Sequence, residues 1–169
     1  MKRILFIFLL LGFGAIGVQA QKYGFVNTQT ILEKMPEYQD AQKKLDDLSE
    51  QWQKEIEAKY AEIDKMWQAY QKEKILLPDQ ERAKREDEIA MKERSVKELQ
   101  KQRFGVTGDL FTKRQELIKP VQEKVYKAIK EVAESGGYTF IFDKANSAFI
   151  LYADPKADKT EAVLKKLGL

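Results

Sequence analysis

The chain has 169 residues, with 30 Lys+Arg against 27 Asp+Glu, no histidine and no cysteine. The last two absences exclude histidine-based triads, thiol nucleophiles, disulfides and Cys/His zinc sites. The charges are of mixed sign with no long run of either, so the one-sided basic excess that displaces counterions from nucleic acid is missing and nucleic acid is not an expected partner.

At the N-terminus, Lys2-Arg3 precede an apolar run from Ile4 to Val18 that ends in Val18-Gln19-Ala20. This is the pattern of a secretory signal at 1–20, cleaved after Ala20. A run of about 15 residues is shorter than the roughly 20 that cross a bilayer, which argues against the alternative of a retained anchor. Without Lys2 and Arg3 the chain from Gln21 carries 28 basic and 27 acidic residues and is nearly neutral. The exported chain has no thiol to staple it, so packing or self-association must hold it together.

Lys22 to Asn27, with Tyr23, Phe25 and Val26, has strand character. Thr28 is placed to cap a short helix over 29–34, and Pro36 suits the first turn of a longer one. Apolar residues then recur at Leu45, Leu48, Trp52, Ile56, Tyr60, Ile63, Trp67 and Tyr70. Their mean step of about 3.6 predicts one helical stripe and hence one partner helix.

The pattern breaks once, at Leu76-Leu77-Pro78-Asp79, which predicts a fold-back with Leu76, Leu77 and Pro78 at the tip. The return limb repeats Ile89, Val96, Arg103, Leu110 and Leu117 every seven residues, with Lys92, Leu99 and Val106 between them. Arg103 and Lys92 in that seam either snorkel at its edge or line a wet surface. Few apolar residues lie between Asp79 and Arg103, which predicts a loosely packed outer half and a dense root. Gly105 and Gly108 mark either a hinge or a close helix contact, and Pro120 should kink or divide the helix. Beyond it, Val121, Val125, Ile129 and Ala133 lead to a stop at Ser135-Gly136-Gly137.

Tyr138 to Phe142 and Ala148 to Tyr152 are aromatic, β-branched runs around a turn-rich Asp143 to Ser147. They predict a hairpin that joins the N-terminal strand in a three-stranded sheet. Asp158 and Glu161 have capping-box spacing for a last helix reaching Gly168. The expected fold class is α+β: a small sheet body carrying a long antiparallel helical hairpin. So small a core, with no metal or thiol, calls for self-association.

No phosphate-binding glycine loop appears. Asp143, Asp154 and Asp158 match no calcium-loop spacing, and turn or cap roles suit them better. The aromatic residues Trp52, Tyr60, Trp67 and Tyr70 form either a binding strip or the arm's own seam. No catalytic residue, metal or cofactor is expected. An enzyme would need a carboxylate-only site, such as one built from Asp143 and Asp154.

The signal pattern, Tyr23-Gly24-Phe25-Val26-Asn27, the long hairpin, the run from Tyr138 to Asp143, and Tyr152-Ala153-Asp154-Pro155 with Asp158-Lys159-Thr160 together resemble the Skp family, also called OmpH. The resemblance spans nearly the whole exported chain, and the segment from Phe104 to Leu117 is similar to Bacteroidetes members. It implies a periplasmic chaperone, a homotrimer whose β-body carries three tentacles around a cavity. That cavity holds unfolded outer-membrane β-barrel proteins without ATP. The alternative is a structural coiled-coil spacer or adaptor of the envelope.

On this resemblance 21–35 and 120–169 form the association body and 36–119 the arm. Tyr23, Phe25, Ile129, Phe140, Ile141, Phe142, Ile150 and Tyr152 are the expected body and subunit contacts. Gly105, Gly108 and Pro120 are the candidate hinge. Better-studied members are strongly basic and this chain is not. A lipopolysaccharide or peripheral membrane contact would rest on Arg82, Lys84 and Arg85, which Glu81, Glu86, Asp87 and Glu88 offset.

Overall fold

The computed structural model describes residues 21–145 and 150–169. The expected signal at 1–20 and the Ala148-Phe149 part of the expected last strand therefore lie outside the described residues. In chain order come β1 (Tyr23–Val26), α1 (Thr28–Glu33), α2 (Pro36–Glu73), α3 (Asp79–Phe104), α4 (Asp109–Gly136), β2 (Phe140–Asp143), a 3-10 turn (Pro155–Ala157) and α5 (Thr160–Leu167).

Among the described residues the sheet has two strands, and they are parallel, with Tyr23 opposite Phe140 and Phe25 opposite Phe142. Parallel strands need a long crossover, and the helical arm serves as that crossover. Among the described residues of the expected hairpin partner, Ile150, Leu151 and Tyr152 carry no strand structure. The chain instead turns at Asp154, whose carboxylate accepts from Lys156 N. It then reaches the far edge of β1, where Lys159 N donates to Phe25 O at 2.8 Å and Asp158 bridges Phe25.

The inward face of the sheet supplies Val26 and Ile141 to the body core. There Ile31, Leu32, Met35, Val121, Val125, Ala128, Val163 and Leu164 close around them. Full burial of each large aliphatic contributes about 1.5–3 kcal/mol before chain entropy is subtracted. Asn27, not Thr28, caps α1, its side chain accepting from Thr30 N at 3.1 Å. Thr28 is drawn away because its hydroxyl donates to Asp143 at 2.6 Å. The capping-box expectation fails in part: Asp158 accepts from Thr160 N, but Glu161 turns to Lys34 at 3.5 Å.

Pro36 occupies the first turn of α2, which runs 38 residues unbroken. Pro120 does not divide the return limb: it sits inside α4, which continues to Gly136. The helix ends where Gly137 takes a left-handed φ of 64°, a conformation costly for any side chain. Tyr138 N then donates to Ala133 O at 2.9 Å.

The distribution of packing along the arm reverses the expected one. The outer half holds a cluster of Ile56, Ile63, Tyr70, Ile89 and Val96, flanked by Met66, Trp67, Leu77, Leu99 and Phe104. The root seam is a smaller cluster of Ala41, Leu45 and Ile118, with Trp52 buried at the junction above it. Few apolar residues on α3 suffice because α2 supplies the bulk, and hydrogen bonds tie its aromatics across: Trp67 to Glu93 and Tyr70 to Glu86. The aromatic positions thus belong mainly to the seam, Tyr60 being exposed.

Candidate functional site: aromatic body face and jointed arm

Two surfaces depart from the rule that large apolar groups are covered. The first is the outward face of the sheet. Residue alternation sends Tyr23, Phe25, Phe140 and Phe142 to that side. Tyr23 stacks on Phe140 at 5.8 Å and lies 6.4 Å from Phe142, while Phe140 and Phe142 are 6.2 Å apart. These three rings are about half exposed, whereas Phe25 is buried. A cleft of about 350 Å³ opens beside them, lined by Tyr23, Phe25, Phe142, Ile150, Leu151 and Tyr152. Leu151 and Tyr152 are almost fully exposed at its rim.

The second surface is the arm. Tyr60, Ile75, Leu76, Met91, Val106 and Phe111 all leave large apolar side chains in solvent along its length, and Tyr126 does so just beyond its root. Leu76 is exposed at the tip, Leu77 packs inward on the outer cluster, and Pro78 directly precedes α3.

Between α3 and α4 the return limb opens into a turn, with Gly108 N donating to Gly105 O at 2.9 Å. A Cβ on Gly105 would fall 2.4 Å from Lys101 O, and one on Gly108 2.5 Å from Gln102 O. The turn as formed therefore admits only glycine at both places. It swings Val106 out of the heptad seam to 92% exposure, and Ile118 rather than Leu117 is the buried residue after it. Arg103 spans the turn: Nη1 donates to Asp109 at 2.6 Å, Nη2 lies 3.6 Å from Glu55 on α2, and the guanidinium sits 4.9 Å from the Trp52 ring centre. Phe104 meets the same indole edge-on. Lys92, the other charge in the seam, is exposed.

Elsewhere the carboxylates serve the backbone. Asp143 accepts from Thr28 N, the Thr28 hydroxyl and Ala145 N. Asp154 and Asp158 accept from the amides of Lys156 and Thr160. No group of acidic residues fit to hold a metal occurs among the described residues. On exposed helix faces, the hydrogen bond to Lys54 and its charge hold the Glu50 carboxyl below its ordinary value, and Lys166 does the same to Glu131.

Comparison with known proteins gives this architecture its relatives. The model of the outer membrane protein (OmpH-like) family matches residues 22–167. The chain belongs to the OmpH-like family. A curated relative, the chaperone protein Skp of Yersinia enterocolitica, is 29% identical over 150 residues, covering 89% of this chain and 88% of that protein. A solved structure of an OmpH-like outer membrane chaperone from Caulobacter crescentus superposes with a TM-score of 0.70 at 14% identity. That match covers 87% of this chain and 83% of the other, and it speaks to the fold.

The OmpH-like body thus brings Tyr23, Phe25, Phe142, Ile150 and Tyr152 around one cleft, with Phe140 stacked beside it. Ile141 and Ile129 go elsewhere, packing against the body core from the inner side. Sequence reasoning missed the Arg103 junction. Its signal was a charged residue at a seam position, followed by a double-glycine break and an acid at Asp109, the first residue of the next helix.

Proposed function

We propose that this chain is a periplasmic, ATP-independent holdase that shields unfolded outer-membrane β-barrel proteins on their way to the outer membrane. Membership of the OmpH-like family and the Skp relative support the chaperone role. The observation that carries the reading is the arm itself. One narrow seam holds it together, while six large apolar side chains along its length stay in water. An unfolded barrel strand presents apolar residues at every second position, so scattered weak contacts along a thin arm suit it better than one deep pocket.

The oligomer belongs to the same proposal. A two-stranded sheet is marginal alone, and the half-exposed Tyr23, Phe140 and Phe142 with the bare Leu151 and Tyr152 offer a face for a second copy. The number three in this proposal comes from the family resemblance alone. Export through a signal at 1–20 completes the reading.

A rigid envelope spacer is the second reading, favoured by the well-packed outer cluster. In-cell photocrosslinking from Phe111 and Tyr126 separates the two. Adducts to many unfolded barrel precursors support the holdase, and one folded partner supports the spacer.

A further inference from the structure

We propose that the Gly105–Gly108 turn is an expansion gap that lets the arm bend, and that Arg103 is the latch that fixes its length. A hairpin of two helices cannot bend unless one limb changes length relative to the other. At an interaxial separation of about 9 Å, a bend of about 20° demands a difference of about 3 Å, roughly two residues of helical rise. The outgoing limb α2 is unbroken for 38 residues and supplies no slack. The return limb has its ladder interrupted once, between Phe104 and Asp109. Moving about two residues there from helical rise to the roughly 3.3 Å of extended chain provides the needed length.

Nothing buried impedes that motion at the outer side of the turn, since Val106 and Thr107 are exposed. What resists it is Arg103, beside the edge-on contact of Phe104 with Trp52. The last-turn arginine of α3 grips the first residue of α4 through Asp109, and it reaches α2 through Glu55 and Trp52. One planar fork thereby ties three helices at the only point in the return limb where the main chain does not. Its Nε is buried with no hydrogen-bond partner among the described residues. The closed arrangement therefore leaves one donor unsatisfied, which lowers the cost of release. Lysine would keep the charge without the two-pronged reach or the flat stacking face.

The inference concerns the arm's mechanics. It rests on the holdase reading only for its use, which is to match a cavity to clients of different size.

The chain has no cysteine, so spin labels at Lys97→Cys and Gln115→Cys report the gap alone. Measurements use the full chain diluted into unlabelled protein, without client. Electron–electron dipolar spectroscopy should give one narrow distance in low salt. It should broaden and move by about 3 Å in Arg103→Gln, and in unsubstituted chain at high salt, where the ion pairs are screened. Arg103→Lys should resemble Arg103→Gln. Should Arg103→Gln lose helicity by circular dichroism, Asp109→Asn is read in its place, with the same expected broadening. Distributions that superimpose on the unsubstituted chain overturn the latch, whatever the outcome for client holding.

Discussion

Tyr23 and Phe140 stack across the register of β1 and β2, 5.8 Å between ring centres and 8° from coplanar, yet each ring stays about half exposed. An ordered aromatic pair left this open supports the proposed association through this face. Phe140→Asp leaves the body core untouched, because Phe140 points away from Val26 and Ile141. Sedimentation equilibrium should show the unsubstituted chain as an oligomer at micromolar concentration and Phe140→Asp shifted towards monomer. A stable monomer in the unsubstituted chain contradicts the proposed association.

The arm's outer cluster should govern its stability more than its tip. Ile89 is 1% exposed among Ile56, Ile63 and Val96. Ile89→Ala should cost about 2–5 kcal/mol. Leu76→Ser, at an 85% exposed residue, should stay within about 0.5 kcal/mol. Urea titrations followed by circular dichroism distinguish the two.

Asp143 ties β2 to the start of α1 through both the amide and hydroxyl of Thr28. Asp143→Ala leaves those donors without their partner and should lower stability by about 1–3 kcal/mol. Client protection at temperatures where the body stays folded should be unaffected, which separates a carboxylate that supports the fold from one that touches the client.

Tyr70 sets an alkaline limit on the arm. Its hydrogen bond to Glu86, and then its burial, raise the phenol above its ordinary value. A folded value above the unfolded one means this contribution is complete below the unfolded value, near 10, and is lost as pH rises through the folded value. The urea midpoint of the unsubstituted chain should therefore approach that of Tyr70→Phe above about pH 10, and differ from it at neutral pH.

The arm was legible from sequence because its rules are local. The 3.6-residue stripe placed Leu45, Trp52, Ile56, Ile63 and Tyr70 on one face, and Leu76 to Asp79 marked the only wide gap. The seam's density was misjudged for a tertiary reason: α3 contributes few apolar residues, but Trp67 and Tyr70 from α2 cover them and anchor to Glu93 and Glu86. Strand partners were harder to foresee. Aromatic runs either side of a turn suggest a hairpin, whereas the order of β1, β2 and Asp158 depends on where the long crossover over 27–139 returns the chain. The Arg103 junction was half visible, the glycines and the odd charge being in plain sight and their meeting with Trp52 and Glu55 not.

Holding unfolded outer-membrane proteins in solution is the activity proposed for this chain, and it can be read directly. A urea-unfolded barrel protein is diluted into buffer with the purified chain and without ATP, and light scattering is followed. Suppression should saturate near one oligomer per client, and it should weaken when Phe111 and Tyr126 are changed to serine. Scattering unchanged by a stoichiometric amount of the folded chain would contradict it.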